Sequence, residues 1–545
     1  MQGGGLSHAI FLLAATLAAS RTVVADSTGG TPIVDLGYAT HQASLSISNQ
    51  SNVYYNFSNI RYAAPPVGNL RFEATQPPLN NRSAGIQDGS YGNICPQAYA
   101  EWQLGALSLL DGAPNENEDC LFADVIVPKS IYDNKSLNQS RSVPVIVWFY
   151  GGGYTLGSKY SAGNPTGLLD QSLNTSTGGQ IFVSFNYRLG AFGWMNGPEF
   201  AAAGTPNAGF YDQRTLLLWV QKYISLFGGD PDHVTVMGES AGAGSILHQI
   251  TAYGGVEAPF RQAIMQSPAF IPKSLKNQTN TAFEAFLAAA NVTTLAEARL
   301  LDSKVLQKAN KLVQATAFYG SFNFGPAPDG TFVPDLPGKL LLEGKFDHNL
   351  TIIAAHNSNE AGHYTPPTAT NSDNFTTFML DYFPELSTSQ LTYLTTVLYP
   401  AIYNGSQPYT TPFKRLDLAI SDFTFTCSTN SLGRAFGNST HNYQFSVPPG
   451  NHTEDVPYTF FNGPISTVKN DTLAMTLQRY LTGFSAKGTP NQAGLPYWTE
   501  YGSAGKALNF NVTESNSVSL DTIVDTATVN IRCDWWQQGL YGDDY

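Results

Sequence analysis

Five short runs of β-branched and apolar residues recur along the chain: VPVIVWF from Val143, QIFVSFNY from Gln180, HVTVM from His233, AIMQS from Ala263 and TIIAA from Thr351. Continuous apolarity over four to eight residues, without the alternation of a strand that has one wet face, reads as strands buried on both sides. Such strands need helices to cover them, and the intervening segments supply these. In DQRTLLLWVQKYISLF from Asp212, the residues Leu216, Leu217, Val220, Ile224 and Phe227 fall near one stripe of a helix. Alternating strand and helix predicts an α/β chain with a large, mostly parallel central sheet flanked by helices. In that architecture functional groups gather at the carboxyl ends of the strands.

The 545 residues exceed a typical domain, but one large α/β sheet reaches this size without splitting. A 42% hydrophobic and 13% charged composition describes a chain able to bury a large core. The net charge of −13 is not gathered into acidic runs, and 28 basic residues give no electrostatic footprint for nucleic acid or an anionic membrane. No fixed repeat, heptad pattern or long linker divides the chain, so residues 26–545 read as one domain. The helical, alanine-rich stretch from Asn277 to about Lys345 reads as a cap over the sheet, and Ser130 to Ser142 as a glycosylated surface loop.

The first residues, MQGGGLSHAIFLLAATLAASRTVVADS, hold an apolar core from Ala9 to Ala19 that is too short to span a bilayer, which fits a signal peptide over residues 1–25. Val23-Val24-Ala25 offers one cleavage site, and a cut after Ser20 is the alternative. No later run of about twenty apolar residues is present, so stable membrane insertion is not expected. About fifteen N-x-S/T sequons, among them Asn56, Asn134, Asn277, Asn374 and Asn511, point to a secreted, extracellular glycoprotein. Four cysteines without a C-x-x-C pair fit two disulfides better than zinc or redox chemistry.

Behind HVTVM stands GESAGAGS, residues 238–245. Glycines on both sides of Ser240 let a strand turn sharply into a helix, which forces the serine outward and aims the next amide, that of Ala241, where it can donate to an oxyanion. A serine hydroxyl is a weak nucleophile, so it needs a base, and the base needs an orienting carboxylate. In the expected chain order of nucleophile, acid and histidine, His452 is favoured, in the irregular loop GNHTEDVPYTFF after the strand-like NYQFSV, with His363 as the alternative. Glu360 lies just beyond the buried run TIIAA and is the predicted acid. Glu239 reads as pointing elsewhere on the turn, in a buried pair, and Asp455 as too close to His452 in sequence to orient it. WFYGGGY supplies Gly151 to Gly153, whose unobstructed amides suit a developing oxyanion.

These residues bring out a family resemblance. The chain resembles the type B carboxylesterases and lipases, the group that includes the cholinesterases, within the α/β-hydrolase fold. The resemblance extends through RYAAPPVGNLRF, EDCLFADVIVP, YGGGY, NYRLGAFGWM, DQRTLLLWVQKYISLFGGDPDHVTVMGESAGAGS and FSAKGTPN. It implies Ser240 as nucleophile, Glu360 as triad acid and His452 as general base, with Gly152, Gly153 and Ala241 as oxyanion donors. It also implies pairing of Cys95 with Cys120 and of Cys427 with Cys533. Two departures stand out: Asn359-Glu360-Ala361-Gly362 carries an added residue near the acid, and Tyr154 replaces the phenylalanine that often follows the glycines. The loop between Cys95 and Cys120 overhangs the site in relatives, and Trp102 within it reads as ordinary packing.

The expected activity is hydrolysis of small-molecule carboxylic esters through an acyl-enzyme on Ser240, with no cofactor and no metal. The alternatives are a true lipase acting on lipid esters and a non-catalytic, cholinesterase-like binding protein.

Overall fold

The computed structural model describes residues 30–104, 113–135, 142–270, 276–525, 527 and 530–541. The expected signal peptide, the Asn138 sequon and part of the loop closed by Cys95 and Cys120 lie outside them.

Eleven strands form the large sheet. The first five are β1 (Ser44–Ile47), β2 (Val53–Arg61), β3 (Phe122–Pro128), β4 (Val143–Phe149) and β5 (Ile181–Phe185). They are followed by β6 (Gly229–Glu239), β7 (Gln262–Gln266), β8 (Thr351–Asn357), β9 (His441–Phe445), β10 (Lys506–Val512) and β11 (Val518–Val524). Their spatial order is β11-β10-β9-β8-β7-β6-β4-β5-β3-β2-β1. From β5 through β4, β6, β7, β8 and β9 to β10 every pairing is parallel, while the flanks are antiparallel. Four of the five apolar runs lie in strands that are buried almost throughout, namely β4, β5, β7 and β8. The fifth, HVTVM, is the inner half of β6, whose outer residues are part exposed. This is the α/β-hydrolase arrangement of a large, mostly parallel sheet between helical layers.

Helix Ala208–Tyr223 carries the predicted stripe, with Leu216, Leu217 and Val220 buried. The stretch from Asn277 holds helices Lys276–Ala289, Leu295–Leu300, Ser303–Ala315 and Pro337–Leu342. The described part of the stretch from Ser130 differs from the expected loop, because Lys129–Asn134 is helical and packs the buried Tyr132 ring edge-on against Tyr55. An apolar anchor in a polar sequence outweighs its loop-like composition. A second buried cluster lies beside the main core and gathers Phe378, Tyr382, Phe383, Phe423 and Trp536. Disulfides join Cys95 to Cys120 and Cys427 to Cys533.

The parallel strands all point their carboxyl ends the same way, so β6, β8 and β9 deliver the segments that follow them to one edge of the sheet. Those segments carry Ser240, Glu360 and His452.

Candidate active site

Ser240 is the hinge between β6 and helix Ala241–Thr251, and its φ of 56° with ψ of −127° is a backbone state that a non-glycine residue rarely adopts. Its cost, of order 1–3 kcal/mol, persists only where the surroundings impose it. Here the Ser240 amide donates to the Gln266 carbonyl at 2.9 Å, and the Ser240 carbonyl accepts from Gly244 and Ala269 at 2.8 and 3.1 Å. A methyl group on Gly242 would run into the Phe149 carbonyl, so the helix can approach β4 only with glycine there.

His452 Nε2 lies 2.8 Å from Ser240 Oγ, and His452 Nδ1 lies 2.6 Å from Glu360 Oε2. Glu360 opens a short 3-10 turn, Glu360–His363, and is held from behind: Oε1 accepts from the Asn357 amide at 2.5 Å and from Ser267 Oγ at 2.7 Å. The loops bearing the acid and the base are also tied to each other. The Asn359 amide donates to the Gly450 carbonyl at 2.8 Å, and Asn359 Nδ2 donates to Asn451 Oδ1 at 2.7 Å. Inside that turn the Ala361 amide donates to Ser421 Oγ at 3.1 Å. His363, the alternative base, is exposed on the far end of the turn.

Burial disfavours the Glu360 carboxylate, but the His452 charge, its hydrogen bond and those from Ser267 and Asn357 outweigh burial and hold the carboxyl below its usual range. An ionised carboxylate only accepts hydrogen bonds, so the Nδ1 of His452 carries the proton and Nε2 is left to accept from the serine. The imidazole itself is pulled two ways. Burial pushes its pKa down, and the negative charges of Glu239 and Glu360 overcome that and raise it. The rings of Phe425 and Tyr364 flank it, with centroids at 4.3 and 5.6 Å.

Glu239 does not point away, as its sequence position implied. Its Oε1 lies 3.3 Å from His452 Nε2, in a buried position. Burial raises its carboxyl pKa, with the nearby charges of Asp455 and Glu360 adding to the rise and that of His452 opposing it. Asp455 stays off the imidazole and accepts instead from Tyr443 Oη at 2.7 Å and Gln266 Nε2 at 3.1 Å.

The glycine loop after β4 packs on the turn from the other side. A methyl group on Gly151 would lie 2.9 Å from Ser240 Cβ, and Gly152 has φ +111°. Gly153 and Ala241 line one small pocket together with Ser240, walled by Phe322, Tyr364, Tyr382 and Phe425; Gly152, in the same loop, does not line it. The space open to the centre of a water-sized sphere is about 10 Å³, room for about one water molecule. Trp102 donates from Nε1 to the Ser321 carbonyl at 3.0 Å and packs on Phe322 and Tyr364, forming a second aromatic layer outside that wall.

The model of the Carboxylesterase family matches residues 41–533. The chain belongs to the carboxylesterase family. This esterase is 38% identical to "Carboxylesterase patB" of Penicillium expansum over 93% of its own length and 96% of that protein's. It is 30% identical to a "Secreted lipase" of Arthroderma benhamiae, covering 83% of this chain and 89% of the other. Among solved structures it is similar to EstA of Aspergillus niger, with a TM-score of 0.78 and 27% identity over 94% of this chain and 98% of that one. It is a carboxylic ester hydrolase.

Several residues of the esterase's site have no sequence signature. Ser267 and Asn357 support Glu360 from the ends of β7 and β8, and Phe425 reaches His452 from a π-helical turn, Asp422–Thr426. The only signal for them is position, because each stands at or just past the carboxyl end of a strand or in a segment packed against one.

Proposed function

We propose that this esterase is a secreted enzyme of one catalytic domain that hydrolyses small carboxylic esters through an acyl-enzyme on Ser240. Ser240 Oγ attacks the ester carbonyl while His452 Nε2 takes its proton, and the oxyanion is held by the amides of Gly152, Gly153 and Ala241. His452 then protonates the departing alcohol. Water, deprotonated by the same imidazole, attacks the acyl carbonyl and releases the acid. Glu360 fixes the tautomer and stabilises the imidazolium at each stage. The observation that carries this reading is the unbroken line from Ser240 through His452 to Glu360, at 2.8 and 2.6 Å, beside the glycine loop.

Secretion is supported by the leader, the two disulfides and the relative named a secreted lipase. Among the described residues no helix is long and apolar enough to cross a membrane. The cramped, aromatic-walled pocket favours compact, uncharged esters over long lipid chains.

Two measurements test the proposal. A fluorophosphonate probe labels one serine, and peptide mapping places the label on Ser240. Ser240→Ala lowers kcat on an aryl acetate by about 10⁶-fold. Labelling elsewhere, or turnover retained by the alanine variant, refutes the assignment.

A further inference from the structure

Away from the catalytic pocket, one face of the sheet carries a second, larger space. Its floor is a patch of adjacent strands: Asn56 of β2 pairs with Ile126 of β3, which pairs with Phe182 of β5, and in the next row Asp124 pairs with Ser184, which pairs with Trp148 of β4. The segment from Lys159 to Pro165 and the Phe460 ring form its walls. The space open to the centre of a water-sized sphere is about 330 Å³, and the residues lining it are distinct from those at Ser240. That is room for one pyranose ring with an acetamide.

The chemistry of the trough selects its occupant. Lys159 Nζ donates to Asp124 Oδ1 at 2.6 Å and both side chains are buried, so the one cation is already neutralised and nothing remains to hold an ion. Tyr160 is exposed beside the trough, and the nearly buried Phe182 and Phe460 rings line it. Asn56 and Trp148 line the trough, and Asn56 Oδ1 and Trp148 Nε1 are buried beneath its surface with no hydrogen-bond partner. Aromatic walls with a few neutral polar groups fit a sugar ring, which has apolar faces and a polar rim.

Asn56 is also the first residue of a sequon, Asn56-Phe57-Ser58. Some other sequons, though not all, have the amide nitrogen engaged in the fold: Asn134 Nδ2 donates to Ser130, Asn451 Nδ2 to Glu454 and Asn470 Nδ2 to Asn516. Asn56 Nδ2 has no such bond, although the residue sits inside an eleven-stranded sheet.

We propose that Asn56 carries an N-linked oligosaccharide whose first N-acetylglucosamine fills this trough and becomes part of the folded sheet face. The donor is a lipid-pyrophosphate-linked oligosaccharide. Asn56 Nδ2 bonds to C1 of its terminal sugar, the C1–O bond to the pyrophosphate breaks, the lipid pyrophosphate leaves with the bonding electrons, and the amide gives up one proton. Addition precedes closure of the sheet, which then folds around the sugar.

The inference rests on the secretory route proposed above, so the test imposes that route with a foreign leader in yeast and reads Asn56 on its own. Glycopeptide mass spectrometry is expected to find Asn56 occupied in most molecules. Peptide N-glycosidase is expected to release that glycan from the denatured chain and to leave it in place on the native protein. An unmodified Asn56 overturns the proposal, and equally fast release from native and denatured protein overturns the seating of the sugar. Ser58→Ala removes the sequon while keeping Asn56. It is expected to lower Tm by about 2 °C and to leave kcat/KM on an aryl acetate unchanged, whereas an unaltered Tm counts against a sugar that completes the fold.

Discussion

Glu239 precedes Ser240 in the chain and brings a second carboxylate to the imidazole, 3.3 Å from the same Nε2 that faces the serine. Its negative charge is one of those that raise the His452 pKa. The base must be neutral to accept the serine proton, so kcat/KM should rise with pH through an ionisation above histidine's ordinary value of about 6.5. Glu239→Gln removes that charge and weakens the imidazolium, so the rising limb moves to lower pH. A pH profile of the variant on an aryl ester checks this, and a limb that stays put or moves upward would show that the Glu239 charge does not raise the His452 pKa. The contact was hidden in the sequence because neighbours on a tight turn can aim to either side. Ser240, His452 and Glu360 were legible for the opposite reason: each needs a special setting, namely glycines around a turn, an irregular loop after a strand, and an acid beyond a buried strand. Ser267 and Phe425 need no special neighbours, and only the fold brings them in.

Strands with continuous apolar sequence were readable because burial on both faces leaves no polar positions. β2, in VYYNFSNIR, was not readable, since its polar residues Asn56, Ser58 and Asn59 interrupt the apolar pattern on a part-exposed strand. The exposed edge strands β1 and β11 were missed for the same reason. β8 has a further tie that its sequence conceals. His356, next to Asn357, lies 3.5 Å from Asp525 just after β11, and both are buried. Burial pushes the His356 pKa down, but the hydrogen bond and charge of Asp525 outweigh it and raise it to about 9. A raised histidine pKa contributes stability in full below the unfolded value of about 6.5, and that contribution is lost as pH rises through about 9. Asp525→Asn removes the partner. The Tm gap between wild type and variant should therefore be widest near pH 6 and narrow by pH 10, as read by calorimetry. A constant gap would mean that the pair acts through packing and not charge.

At the scale of the molecule, chain order already implied which strand ends must converge, because a parallel sheet delivers every βα connection to one edge. The resemblance implied the Cys427–Cys533 bridge, but the sequence did not show what else holds the last described helix. Helix Ile531–Gln537 places Trp535 and Trp536 among Phe383, Phe423 and Tyr541, Arg532 Nε donates to Asp422 Oδ2 at 2.6 Å, and Cys533 is bonded to Cys427. Cys427 immediately follows Phe425 and Thr426, so this anchor braces the turn whose Phe425 ring lies on His452. The bridge closes a separation of 106 residues, for which chain-entropy reasoning gives about 4–5 kcal/mol of stabilisation. Because the unfolding entropy is spread over 545 residues, that energy corresponds to a Tm difference of roughly 4 °C. Replacing both cysteines with serine, which leaves no free thiol, should lower Tm by about that amount at a fixed scan rate, with activity at 25 °C retained. Aromatic packing and the Arg532–Asp422 pair still hold the helix in the native state, and the bridge acts mainly on the unfolded chain. If the double variant loses activity at 25 °C without a matching fall in Tm, the bridge instead positions Phe425 against His452 in the native state.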